Sequence, residues 1–364
     1  MGENSKISWT HHTWNPWRGC EHATLADGSE HPGCLHCYAE RMSKRNPRVM
    51  GTWGADGVRV RAADAYWKLP AKWNAAAIEA GQRQRVFCAS VADVFEDWQG
   101  PIVAPSGRVL HRGEAWYSQQ KYIELYLRIG RSLATMDDLR RDVFGTIDAN
   151  SWLDWLVLTK RPQNVQHMMP LRFGERCAKC GMSSCDHNED PVDNCPQHVS
   201  PENYCRPNLW LGTSISNQQT ANELVLDLID LCDLCTLLFL SAEPLLGPVR
   251  LSAIKGRGAG YWDVLRGLGH DGTIEDGTMC PTISWVIIGC ESGARRRPMQ
   301  LEWARDLVRQ CRDAGVAVFV KQLEIDGQVT EDVSKFPRDL QVRELPATAG
   351  RHNTNLAKSA KERS

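Results

Sequence analysis

The sequence predicts an α/β protein built as a partial (β/α) barrel with inserted loops. Six short apolar runs recur along it: VFCASVADVF (86–95), WLVLTKRP (155–162), LWLGTSISN (209–217), TLLFLSAEP (236–244), SWVIIGCESG (284–293) and VAVFVKQ (316–322). Continuous Val, Ile, Leu and Phe of this length suit strands buried on both faces, as in a parallel sheet. Helical patterns alternate with the runs, NQQTANELVLDLIDLC before the fourth and LEWARDLVRQCRDAGV before the last, which is the rhythm of strand–helix–strand units. Polar residues follow the runs, and in a barrel the strand C-termini gather on one face where such residues meet. No G-x-G-x-x-G follows the first run, so a dinucleotide-binding sheet is disfavoured. Six or seven strands are visible, which fits an open barrel as well as a closed one.

Each run contributes candidates to that face. The first brings Asp93 and Glu96, the second Lys160 and Arg161, the third Thr213, Ser214 and Asn217. Glu243 ends the fourth, Glu291 and Ser292 the fifth, Lys321 and Gln322 the last. Arg295, Arg296 and Arg297 follow the fifth run, and three guanidiniums there suit a phosphate- or carboxylate-bearing substrate. Residues 1–330 are taken as the barrel, 170–208 as an insert within it, and 331–364 as an extension with a disordered end. Two further interruptions, 98–120 and 255–281, read as loops.

A formal net charge of −1 gives the whole chain no nucleic-acid or membrane signature, so anion binding must come from local patches. Arg41, Lys44, Arg45 and Arg48 form one such stripe if a helix continues past Asn46-Pro47. No basic stretch followed by an apolar run opens the sequence, and no segment approaches the roughly 18–20 apolar residues of a membrane span. A cytoplasmic protein without a membrane partner is therefore expected. Fourteen cysteines in such a chain point to metal ligation where they cluster, because a reducing compartment disfavours disulfides.

Two clusters occur. In GCEHATLADGSEHPGCLHCYAERM, Cys20, Cys34 and Cys37 supply three thiols with no obvious fourth. Two sites satisfy them: a [4Fe–4S] cluster with one open iron, or zinc completed by His22, His31 or His36. In CAKCGMSSCDHNEDPVDNCPQHVSPENYC (177–205) there is little apolar side chain to form a core, so a metal is expected to order it. Cys177 and Cys180 form the tightest pair, Cys195, His198 and Cys205 are further zinc candidates, and Cys185 and His187 compete with them.

The stretches TWNPWRGC, PGCLHCYAERM, LTKRPQN, WLGTSISNQ, LSAEPLLGPVRL, WVIIGCESGARRRPM and FVKQ together resemble the phage-associated three-Cys-motif family of radical-SAM-like proteins. The spacing departs from the usual radical S-adenosylmethionine (SAM) motif in the thirteen residues between Cys20 and Cys34 and in His36 before Cys37. The resemblance implies a barrel of the radical SAM type, a [4Fe–4S] cluster on Cys20, Cys34 and Cys37, and SAM as cofactor, cleaved to a 5′-deoxyadenosyl radical. Asp93, Glu96, Lys160, Thr213, Ser214 and Asn217 are then the expected cofactor contacts, and Glu243 and Glu291 the expected catalytic acids. It further implies an electron-donor protein and a nucleic acid or nucleotide substrate to be modified or repaired, in the host cytoplasm if phage-encoded. Two other readings stand beside it: a zinc-dependent nucleic-acid-binding protein without catalysis, and a barrel phosphoesterase using Asp93, Glu96, Glu243 and Glu291 as metal ligands.

Overall fold

The structure is a computed structural model, and it describes residues 3, 5–111, 133–170, 205–258, 260–269, 282–293 and 295–347. Eight strands form one sheet whose spatial order follows the chain. They are β1 (His12–Trp14), β2 (Gln84–Cys88), β3 (Leu153–Thr159), β4 (Arg206–Ile215), β5 (Cys235–Ala242), β6 (Ile283–Gly289), β7 (Ala317–Ile325) and β8 (Gln328–Thr330). The first seven run parallel, and β8 turns back antiparallel on β7. Helices α1 (Tyr38–Arg45), α2 (Leu69–Ala80), α3 (Met136–Ala149), α4 (Pro162–Met168), α5 (Gln218–Ile229) and α6 (Leu301–Ala314) lie between the strands. This is the crossover pattern that parallel pairing demands.

Local chemistry sets the helix boundaries. Thr135 and Asp138 form a reciprocal capping box that starts α3, and Asn217 and Thr220 do the same for α5. Along α5, Ala221, Leu224, Val225 and Leu228 are buried, the i, i+3, i+4, i+7 stripe that packs on the sheet.

The sheet curls into a half-barrel, and both of its faces are apolar. Outward residues such as Trp155, Val157, Leu209, Leu211, Leu238, Leu240, Val286 and Ile288 pack under the helices. Inward residues fill the concave side, with Trp285 at the centre. Its ring lies 5.9–6.1 Å from those of Trp9, Trp210, Phe239 and Phe319. Moving up the inward columns toward the strand C-termini, bulk gives way to small and then charged side chains. On β5 and beyond the column reads Leu237, Phe239, Ser241, Glu243, and on β3 Leu156, Leu158, Lys160. Aromatics therefore plug the lower half, and a cavity of about 530 Å³ opens above them.

The extension beyond 330 is part of this body. Phe336, Leu340 and Val342 are buried in the core, and the backbone of 342–344 bonds to Val318 and Val320 on β7. The stretch 348–364 lies outside the described residues.

Candidate metal centre and active site

The cysteine-bearing segment is threaded across the mouth of the half-barrel. Pro32–Cys34 forms a short 3-10 turn opened by His31, and Cys37 sits at the N-cap of α1. The C-x-x-C spacing thus spans a turn into a helix. Cys20, Cys34 and Cys37 all line the cavity above the aromatic plug, and all three are free thiols.

Contacts from several strand ends hold the segment there. After β2, Ser90 O accepts from the Tyr38 hydroxyl. After β3, Arg161 donates to Glu21 O at 2.9 Å. On β4, Ser214 O pairs with His31 Nε2 at 3.1 Å. After β6, Glu291 Oε2 meets His36 Nδ1 at 3.0 Å, and Arg297 donates to Pro32 O at 2.8 Å.

Lys160 stands among the thiols. Burial alone would lower its pKa, but Cys34, Cys37, Asp93 and Cys20 surround it and raise it. Burial pushes the Cys20 thiol well up, with Glu96 adding and Arg161 opposing. Burial also raises Cys34, with Lys160 pulling the other way. Deprotonated sulfurs in this pocket therefore need a positive centre beside them.

The strand-end residues expected to touch a cofactor take two different positions. Lys160 and Ser214 line the cavity. Thr213 does not: alternation along β4 turns it outward with Leu211 and Ile215, where its hydroxyl donates to Thr159 O at 2.9 Å. Asn217 is consumed as the cap of α5. Asp93 lines the cavity, but its oxygens accept from Thr159 Oγ1 at 2.7 Å, Lys160 N at 3.0 Å and Arg161 at 3.0 Å. Glu96 is clasped by Arg59 at 2.7 and 2.9 Å and accepts from the Glu21 backbone N–H. Asp93 and Glu96 thus fix both ends of the Glu21 peptide, next to Cys20, one through Arg161 and one directly.

Glu243 and Glu291, the expected catalytic acids, line the cavity, but each carries a cation. Glu243 pairs with Lys321, and against the upward push of burial Arg297 and His36 hold Glu291 down at about 2. The arginine triplet does not converge on one anion site. Arg297 is spent on Glu291, Arg296 on Glu324 and Gly327 O, and Arg295 is exposed. The basic stripe is interrupted, because α1 ends at Arg45 and a separate turn runs Pro47–Met50.

Two metal alternatives can be weighed on geometry. The four acids of the phosphoesterase reading, Asp93, Glu96, Glu243 and Glu291, are each paired with a separate cation. Two of the histidines that would complete zinc, His31 and His36, are also engaged. Both ring nitrogens of His31 are bonded, and burial with Lys160 nearby drops its pKa to about 3. His36 faces Glu291, whereas His22 lies between Glu30 and Glu40, each at 3.3 Å, with its buried Nε2 making no hydrogen bond. Among the described residues no three His, Cys, Asp or Glu side chains form a group able to hold a single metal ion. Of the second cluster, Cys177, Cys180, Cys185, His187, Cys195 and His198 lie outside the described residues, and Cys205 is half-buried just before β4.

Lys321, Ser241 and Cys290 also line the cavity. Lys321 and Glu243 were each legible as strand-end residues, whereas their pairing was not, since it depends on β5 and β7 flanking β6. No described helix is long and apolar enough to cross a membrane.

A family model described as "Protein of unknown function (DUF5131)" matches residues 4–101 and 133–354. No curated protein and no solved structure matches significantly.

Proposed function

The chain belongs to the DUF5131 family, and for it we propose a radical SAM enzyme, with Cys20, Cys34 and Cys37 as the thiolates that hold a [4Fe–4S] cluster. The observation that carries this reading is the convergence of three free cysteines on one cavity at the strand C-termini, with His31 and His36 bonded elsewhere. A mononuclear ion draws all its donors into one coordination sphere. A four-iron cluster takes each thiolate on a different iron and suits sulfurs spread around a pocket.

When bound, the cluster supplies an electron that cleaves SAM to methionine and a 5′-deoxyadenosyl radical. The chain's own residues prepare for that chemistry. Lys160 supplies positive charge beside the thiolates, lowering the cost of three negative sulfurs in a shielded site. Arg161, Asp93, Glu96 and Arg297 hold the loops that carry the cysteines. Ser214 and Ser241 offer hydroxyls on the upper wall, and the aromatic plug closes the cavity from below and excludes water. An electron-donor protein and a nucleic acid or nucleotide substrate belong to this reading, as do a cytoplasmic setting that keeps the thiols reduced and zinc in the 177–205 insert.

The test is anaerobic reconstitution with iron and sulfide, followed by reduction with SAM present. About four irons per chain, lost in Cys20→Ala, Cys34→Ala and Cys37→Ala, together with 5′-deoxyadenosine, is the expected result. Stoichiometric zinc without iron, or iron that survives all three substitutions, refutes it.

A further inference from the structure

The upper wall of the cavity carries an ion pair that holding the cysteine loops does not require. Glu243 follows β5 and Lys321 lies on β7, two strands separated by β6. They meet because the β6 residue between them is Gly289, where a Cβ would come within 2.9 Å of Glu243 Cγ and 3.1 Å of Cδ. Both side chains are 16% exposed, and both face the cavity. A shielded ion pair adds little stability over apolar side chains of the same size, so folding alone does not account for it.

The pair offers a distinctive hydrogen-bonding surface. The ammonium has three donors and the carboxylate two oxygens, and apart from their mutual bond neither has another hydrogen-bond partner among the described residues. An acceptor and a donor therefore sit side by side at the wall. Their complement is a planar group with N–H next to C=O. The Tyr38 ring lines the same cavity, 44% exposed and tethered through its hydroxyl to Ser90 O, and supplies a face on which such a ring can stack. The cavity volume, about 530 Å³, lies within the range of small-molecule sites.

We infer that Glu243 and Lys321 form a substrate-reading pair for a keto nucleobase, with the Glu243 carboxylate accepting from the ring N–H and the Lys321 ammonium donating to the adjacent carbonyl. The inference rests on the radical reading for the reaction, since it names that site's substrate class, but binding can be measured without turnover.

The experiment is equilibrium dialysis of the full-length chain against thymidine and N3-methylthymidine, before and after iron–sulfur reconstitution, with SAM binding followed in parallel. Methylation replaces the ring N–H that Glu243 reads, so thymidine is expected to bind roughly 10- to 100-fold more tightly. The double variant Glu243→Leu/Lys321→Met leaves no lone charge behind and is expected to erase that preference while SAM affinity holds. Equal binding of the two nucleosides, or binding of neither in either state, overturns the inference. So does a preference that survives the double variant, or SAM affinity that falls with it. Equal binding of the two nucleosides overturns the inference even if the double variant misfolds. Failure of reconstitution or of SAM cleavage would count against the radical reading while leaving the dialysis result standing.

Discussion

Asp93 and Glu96 show how a residue's position at a strand end underdetermines its role. Both lie in the loop after β2, where a cofactor contact was expected, yet their oxygens face Arg161 and Arg59. Burial alone would raise the Asp93 pKa, but Arg161 and three hydrogen bonds hold it below the usual carboxylate value. Arg161 in turn reaches the Glu21 carbonyl, and Glu96 the Glu21 amide. These acids therefore position the Cys20 loop. Asp93→Asn strands the Arg161 cation in a shielded site, and breaking such a pair costs about 3–5 kcal/mol. The expected result is a lower melting temperature and less iron per chain after reconstitution, with SAM affinity unchanged in the fraction that loads. Full iron with weakened SAM binding would return Asp93 to the role of a direct cofactor contact. Partners of this kind were illegible in the sequence because they lie 37 and 68 residues away, and only the strand order brings them together.

Elements were legible in proportion to their apolar continuity. The six runs coincide with β2 through β7, shifted by a few residues, because a strand buried on both faces must be written in Val, Ile, Leu, Phe and Trp. The strand β1 escaped notice: it is three residues, His12–Trp14, with no apolar run, and among the described residues β2 alone pairs with it. Its pairing is supported by a histidine. His11 Nδ1 accepts from the Arg85 amide at 2.8 Å, so the ring must stay neutral there. Burial, with Arg85 and His12 adding, lowers its pKa from 6.5 to about 4. An unfolded chain takes up that proton below 6.5, and the folded chain resists until about 4. Between those values the unfolded state binds more protons, so this histidine makes stability fall as pH falls across the window. His11→Asn keeps an acceptor near the same place and removes the titration. Melting temperatures recorded from pH 7 to 4 should therefore slope less steeply in the variant. An unchanged slope would mean that other groups carry the acid sensitivity.

At the scale of the molecule, the open side of the half-barrel is the liability, since an unpaired parallel edge invites further strands. The inserted loops and the alternation of strand and helix gave no hint of how that edge is closed, and a barrel ending at 330 looked sufficient. The chain closes it with its own tail. Strand β8 covers the upper part of β7, and residues 342–344 cover the lower part, with Val320 N donating to Val342 O at 2.8 Å and Glu344 N to Val318 O at 2.9 Å. The same tail caps the aromatic plug, because Glu344 O takes the indole N–H of Trp285 at 2.9 Å. Phe336 and Leu340 add apolar burial, each worth about 1.5–3 kcal/mol. Set against a total stability of about 5–15 kcal/mol for a typical domain, losing them together with the edge bonds is more than the fold can spare. A chain cut after residue 330 should aggregate or lose the cooperative melting transition that the full-length chain shows. If the shorter chain melted normally, the tail would be an accessory, and the plug beneath the cavity would have to be self-supporting.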